Sequence, residues 1–285
     1  MTKFVSRRGV IGLAIEATLF TPVAPTCWVP WATMSFKDGV ETAREDEGLG
    51  VIADSDAVLV TFKKGEGDIE SQLFDKALGY ILTSLLGAAP NSSGTNPTTH
   101  TFTLSQTNQP KTLSLYYQDP DRSYMFAGAV VDSVKMVVAN NAIVSFTIGF
   151  KSKGAKDWQR LTPDFTSLGN KFLQQHLQFR LADNIAGLAA ANETYLKNLE
   201  LTINRNTMFD QNLGTVEVTD ILAQELSIEG NLTLNLESET FRQAMLNNTY
   251  KAGEIYLLRS TSSSLKLQFP PLDIVTGKQI GRAHV

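Results

Sequence analysis

The chain has 285 residues, 42% hydrophobic and 19% charged, which is enough apolar material for a substantial core and excludes general disorder. A net charge of −4 does not suit a protein whose task is to grip a phosphate backbone, and a single cysteine, Cys27, excludes an internal disulfide or a thiolate metal cluster. No apolar run reaches the roughly 20 residues that span a bilayer, and Val10–Ala14 is too short and broken for a signal-peptide core, so no membrane partner and no export are expected.

From the N-terminus, Arg7-Arg8 and later Lys63-Lys64 are too short for a nucleic-acid footprint. Cys27 beside Trp28 reads as a packed side chain. Trp28 and Trp31 straddle Pro30 and read as packing at the end of a half-buried strand. Further on, Gly67, Ile69 and Leu73 share one face of an extended segment, while Glu66, Asp68 and Glu70 share the other. Ser71–Leu86 carries Phe74, Leu78, Ile81, Leu82 and Leu85 at helical spacing, with Gly87 as its stop. Ala88–Lys111, centred on Asn91-Ser92-Ser93-Gly94, predicts a long exposed loop. Strands are predicted at Ser114–Gln118, Ser133–Val138 and Val144–Phe150. The polar stretch Lys151–Lys171, with Pro163, marks a junction, and strands resume at Leu177–Leu181 and Leu199–Ile203. The longest alternation follows: Leu226, Ile228, Gly230, Leu232, Leu234 and Leu236 interleave with Ser227, Glu229, Asn231, Thr233, Asn235 and Glu237. Such a strand would reach roughly 36 Å at about 3.3 Å per residue, with one face in a core and the other in a polar environment. A short helix is predicted at Glu239–Asn247, carrying Phe241, Met245 and Leu246.

Several of these features occur twice in the same order. Leu49-Gly50 and Glu66-Gly67 in the first half match Leu213-Gly214 and Glu229-Gly230 in the second. Upstream, Arg8–Ala17 matches His176–Ile185 and Thr26–Phe36 matches Thr194–Asn204. Collinear matches point to repeated structure. The expected class is therefore mainly β, or α+β, with a first unit over 1–155 and a second over 170–279, each with one flanking helix. The final Ile280–Val285 back-translates to ATC GGA AGA GCA CAC GTC, the text of a common sequencing adapter, and reads as an artefact of 280–285 that leaves the second copy short of a C-terminal strand.

Catalytic and metal-binding patterns are not found. His100 lies in the polar loop and His176 opens a strand, neither with a partner at metal-ligand spacing. No Gly-x-Ser-x-Gly elbow or Walker loop is present, and Gly9-x-x-Gly12 lacks the remaining glycines of a dinucleotide fingerprint. Asp54/Asp56 and Asp119/Asp121 lack the glycine and terminal glutamate of a calcium loop and read as turn residues. Glu66/Glu70 reads as a solvated strand face and not as a glycosidase pair. Neither an enzyme nor a cofactor is expected.

Arg7-Arg8-Gly9-Val10-Ile11-Gly12-Leu13-Ala14-Ile15-Glu16, followed by Ala17-Thr18 and Thr21-Pro22-Val23-Ala24, resembles the opening of one family of phage tail tube proteins. The resemblance continues through Val40-Glu41-Thr42-Ala43-Arg44, Gly65-Glu66-Gly67-x-Ile69-Glu70, Asp75-Lys76-x-Leu78-Gly79-Tyr80-Ile81-Leu82, Leu115-Tyr116-x-x-Asp119-Pro120 and Leu199-x-Leu201-x-Ile203-Asn204. It implies a β-sandwich or barrel-like subunit, without catalysis, that closes into rings stacked as a tube. The ring would hold three chains with pseudo-six-fold symmetry, or six. The implied partners are further copies of the chain, the tape measure, the tail terminator and the tail tip, in a virion assembled in the cytoplasm of a bacterial host. DNA would pass the lumen without specific binding. The expected lumen-facing residues are Glu66, Asp68 and Glu70 in the first copy and Glu229, Asn231 and Thr233 in the second. The Ala88–Lys111 loop and the Met1–Arg8 arm are the expected ring-to-ring contacts. The alternatives are a ring protein of a contractile tail or secretion tube, and a carbohydrate-binding β-sandwich with Trp28, Trp31 and Tyr116/Tyr117 as its platform.

Overall fold

A computed structural model describes residues 6–44, 57–72, 74–88, 90–95, 97–166, 168–234, 243, 246–247 and 249–272. The helix expected at Glu239–Asn247 falls mostly outside these, as do most of the Met1–Arg8 arm, Leu49-Gly50, Asp54, Asp56, Leu73, the Asn235–Glu237 end of the long alternation, and 280–285.

The protein is mainly β. In chain order the elements are β1 (Val10–Ile15), β2 (Cys27–Val29), β3 (Thr33–Met34), β4 (Lys37–Arg44), β5 (Val58–Gln72), α1 (Asp75–Leu86), β6 (Asn91–Ser93), β7 (Thr99–Thr101), β8 (Leu113–Gln118), β9 (Ser123–Ala139), β10 (Ser145–Lys153), β11 (Lys156–Asp157), β12 (Leu177–Ala182), β13 (Leu196–Asn204), β14 (Met208–Asp210), β15 (Asp220–Leu222), β16 (Ser227–Leu234), β17 (Lys251–Ser260) and β18 (Ser263–Leu272). By contact the chain divides into two compact units. The first holds Met1–Met136, Ser145–Lys171 and Leu201–Glu229, and the second Val137–Val144, Phe172–Glu200 and Gly230–Val285.

The first unit is built on a sheet of order β2-β1-β8-β9-β10-β5-β3, with β4 also on β5 and β11 on β9. Met125–Val131 of β9 is buried without interruption, the pattern of a central strand covered on both faces. The helix α1 presents Ala77, Leu78, Ile81 and Leu85 from one face and stops at Gly87, whose left-handed backbone (φ 82°) lets its N–H donate to the Thr83 carbonyl. Ser84 Oγ accepts from the Val131 N–H at 3.1 Å, so the helix bonds to β9 as well as packing. Its N-terminus is tied to the junction: Asn170 N–H donates to Asp75 Oδ1 at 3.1 Å. The stretch expected as a long loop contains the β6–β7 hairpin, and its far end is pinned by Gln109, whose Oε1 accepts from the Ala223 N–H at 2.8 Å.

The second unit contains a three-stranded antiparallel sheet, β12-β17-β18, in which Phe179, Ile255, Leu257 and Phe269 are buried. A row of polar side chains crosses it: Arg180 lies opposite Glu254, and Glu254 opposite Gln268. Glu254 is buried, receives a hydrogen bond from Gln268 Nε2 at 2.8 Å, and lies 3.5 Å from Arg180 and 3.6 Å from Lys266. None of the sheets formed by the described residues closes into a barrel.

Candidate functional site

The strip Glu66, Asp68 and Glu70 stands on one face of β5, while Gly65, Ile69 and Ser71 turn inward and are buried. This is the two-residue period expected of the segment. Directly opposite residues share a face across an antiparallel pair, so the register shows what surrounds each carboxylate. Glu66 faces Lys151 on β10 and Lys37 on β4, and its own strand adds Lys64 at 3.3 Å. Lys64 also meets Glu41 at 3.0 Å. Burial works against its charge, but hydrogen bonds and charge from Glu41 and Glu66 outweigh that and lift its pKa above the ordinary lysine value. Asp68 lies opposite Gly149, and Glu70 lies opposite Thr147 on one side and Thr33 on the other. Thr33 Oγ1 donates to Glu70 Oε2 at 2.7 Å. The acidic character is therefore concentrated at Asp68 and Glu70, while Glu66 sits in a compensated patch.

Beyond Glu66 the same face becomes a small core. Phe62 and Val130 pack with Val218 and Ile221 from the β14–β15 hairpin, and Phe209 of that hairpin lies edge-on to Phe62 at 5.8 Å. Lys64 and Lys151 approach the Phe209 ring at 5.4 and 5.8 Å. Asp132 accepts the Thr207 N–H at 2.8 Å and lies 3.3 Å from the Lys151 ammonium, which also donates to the Thr207 carbonyl. Lys63 N–H donates to the Val216 carbonyl at 2.7 Å, and Gln211 Nε2 to the Thr61 carbonyl at 3.0 Å. A hairpin from the second half of the chain is thus clasped onto the first half's sheet. Sequence reasoning missed it, because no local pattern marks a contact made across more than a hundred positions.

In the second candidate strip, Glu229, Asn231 and Thr233 are all exposed. The opposite face differs from expectation. Ile228 and Leu234 are only half-buried, Gly230 is exposed, and Leu232 keeps 39% of its surface. Period-2 alternation predicts a face that can be buried; among the described residues nothing covers its middle. The ends of β4 and β5 show the same condition more strongly. Their pairing runs from Lys37 opposite Glu66 to Arg44 opposite Val58, and Val40, Val58, Leu59 and Val60 remain 54%, 62%, 53% and 43% exposed. Consecutive strand residues point to opposite faces, so among the described residues this end of the ribbon is uncovered on both.

The remaining candidates have packing roles. Trp28 lies edge-on to the fully buried Tyr116 at 5.7 Å, and Trp31 Nε1 donates to the Gly9 carbonyl at 2.9 Å, so Tyr116 is packed away from any exposed aromatic surface. Burial raises the pKa of the Cys27 thiol, partly offset by Lys76. Burial, helped by Arg259, lowers that of His176, whose Nδ1 accepts from the Leu173 N–H. Asp119 caps a turn by accepting from the Asp121 and Arg122 N–H groups. Among the described residues no group of three His, Cys, Asp or Glu side chains could hold a metal ion, and no helix is long and apolar enough to cross a membrane.

No curated protein matches the chain. A family model described as phage tail tube protein matches residues 6–283, nearly the whole sequence. The mainly β architecture fits that match, and the chain belongs to the phage tail tube protein family.

Proposed function

We propose that the protein is the repeating subunit of a phage tail tube, a structural protein without catalytic activity, whose copies close into rings that stack around a channel for DNA. Beside membership of the family, the observation that carries this reading is the apolar surface left uncovered on both faces of the β4–β5 ribbon and on β16. Exposed apolar strands of this kind are an aggregation hazard in a monomer and are protected when copies assemble. The tube takes its place in the virion tail, assembled in the bacterial host cytoplasm, and meets the tape measure, terminator and tip proteins at its ends and interior.

Internal duplication would make each chain two tube units, so three chains would form a ring of pseudo-six-fold symmetry. Two parallels support duplication. The first sheet contains the antiparallel order β1-β8-β9 and the second is β12-β17-β18. Within them the row Leu13–Leu115–Phe126 corresponds to Leu181–Gly253–Phe269, with Leu13 and Leu181 already matched in sequence. In both, a bulge follows that row: Leu113 pairs with Ala129, and Lys251 with Leu272. A shared irregularity at a matched position is a stronger sign of common origin than shared strand order.

Negative-stain electron microscopy of the purified protein, beside light scattering, tests the reading. Rings or hollow tubes are expected, with three-fold true symmetry if the duplication holds and six-fold if only one unit lines the channel. A compact monomer at high concentration would overturn it.

A further inference from the structure

The β14–β15 hairpin carries an arrangement that its clasp on Phe62 does not use. Among the described residues β15 pairs with β14 alone. A strand with one neighbour leaves backbone N–H and C=O groups open to any extended chain that comes alongside. Here side chains occupy them. Ile221 N–H donates to Asp220 Oδ1 at 2.7 Å. Ala223, the residue after β15, donates its N–H to Gln109 Oε1 at 2.8 Å, and its carbonyl accepts from Gln109 Nε2 at 3.4 Å. A carboxamide has the donor and the acceptor of a peptide group, so Gln109 fills the place that a residue of an added strand would take.

The reach of Gln109 is set by its own segment. Ser105 N–H donates to the Leu86 carbonyl at 2.8 Å, Asn108 N–H donates to Ser105 Oγ at 3.1 Å, and Pro110 is buried. Held on both sides, Gln109 meets a residue 114 positions away. Both of its bonds are exposed, so water competes with them and they break without opening a core.

We propose that Gln109 is a plug on the β15 edge, an autoinhibitory contact that keeps a strand of a second copy from adding at Ala223. A second copy offers such strands itself: among the described residues β4 pairs only with β5, and β16 only with β13. The plug acts whether or not copies also close into rings, since it blocks an association that the free chain avoids.

The test compares full-length variants by light scattering and thioflavin T fluorescence. Gln109→Ala is expected to keep the wild-type circular dichroism and to form irregular, dye-binding aggregates at about a tenfold lower concentration than wild type. Gln109→Glu also loses the bond to the Ala223 carbonyl but places a charge on the edge, and is expected to stay as soluble as wild type. Adding Ala223→Pro to Gln109→Ala removes the N–H that a new strand would use, and is expected to restore wild-type solubility. Gln109→Ala no more prone to aggregate than wild type, or aggregation that neither the glutamate nor the proline prevents, would overturn the plug.

Discussion

Glu16 shows how much a single residue carries. Its side chain is buried, and its two oxygens accept from the Phe20 and Gly128 N–H groups and from the Thr112 and Ser114 hydroxyls. One carboxylate thereby ties the end of β1 to β8 and β9. Glu16→Ala would leave buried donors unpaired and is expected to cost about 3 kcal/mol, seen as a fall in Tm, with Glu16→Gln losing less. Gly128 serves the same corner. Its backbone has φ of 67°, and a Cβ there would collide with the Phe20 ring, so Gly128→Ala should destabilise in the same assay. A Tm unchanged by both would remove Glu16 from this role. The sequence marks neither residue: a glutamate ending a strand reads as a solvated end, and its importance arises from partners about a hundred positions away.

At the scale of elements, the clasp formed by Phe209, Thr207 and Asp132 holds a hairpin of the second half on β5, β9 and β10. Phe209→Ala removes the edge-on contact with Phe62 and the ring facing two lysines, and is expected to cost about 2–3 kcal/mol. Limited proteolysis should then cut within residues 208–222 faster than in wild type, while β12-β17-β18 keeps its protection in hydrogen exchange. Uniform loss of protection would mean that the hairpin is not a separate element of stability. Element type was largely legible. The period of 3.6 placed the helix, found at Asp75–Leu86, and alternation placed β5, β8, β10, β12, β13 and β16 within a few residues. Burial along β16 was not, because alternation says which faces match each other but not whether a cover exists in the same chain. The 88–111 loop also read too simply, since its anchor is the side-chain amide of Gln109 acting as a strand partner for Ala223.

For the whole molecule, the question is what DNA would meet. The proposed lumen strip is acidic at Asp68 and Glu70 and balanced around Glu66 by Lys64, Lys37 and Lys151. Like charge keeps a polyanion from adhering, and cations on a wall bind phosphate by releasing counterions. Replacing Glu66, Asp68 and Glu70 together by lysine is expected to slow or block DNA ejection from assembled particles, with the defect relieved by added salt. Ejection at the wild-type rate would show that β5 does not face the channel. The family was legible from motifs spread along the chain, because strand pairing and turns constrain many positions weakly and none decisively.

The division of the chain into units has a consequence for how it is made. The first unit is not complete in sequence until Glu229, since Leu201–Glu229 supplies the cover over Phe62 and Val130. At roughly 5–20 residues per second on the ribosome, the stretch after Lys171 takes several seconds to emerge. Throughout that interval the nascent sheet lacks β13 and β16 as well as the hairpin over Phe62 and Val130, and a molecular chaperone that binds apolar strands would find its target there and lose it once the hairpin arrives. Slower translation across 172–229 would lengthen that exposure.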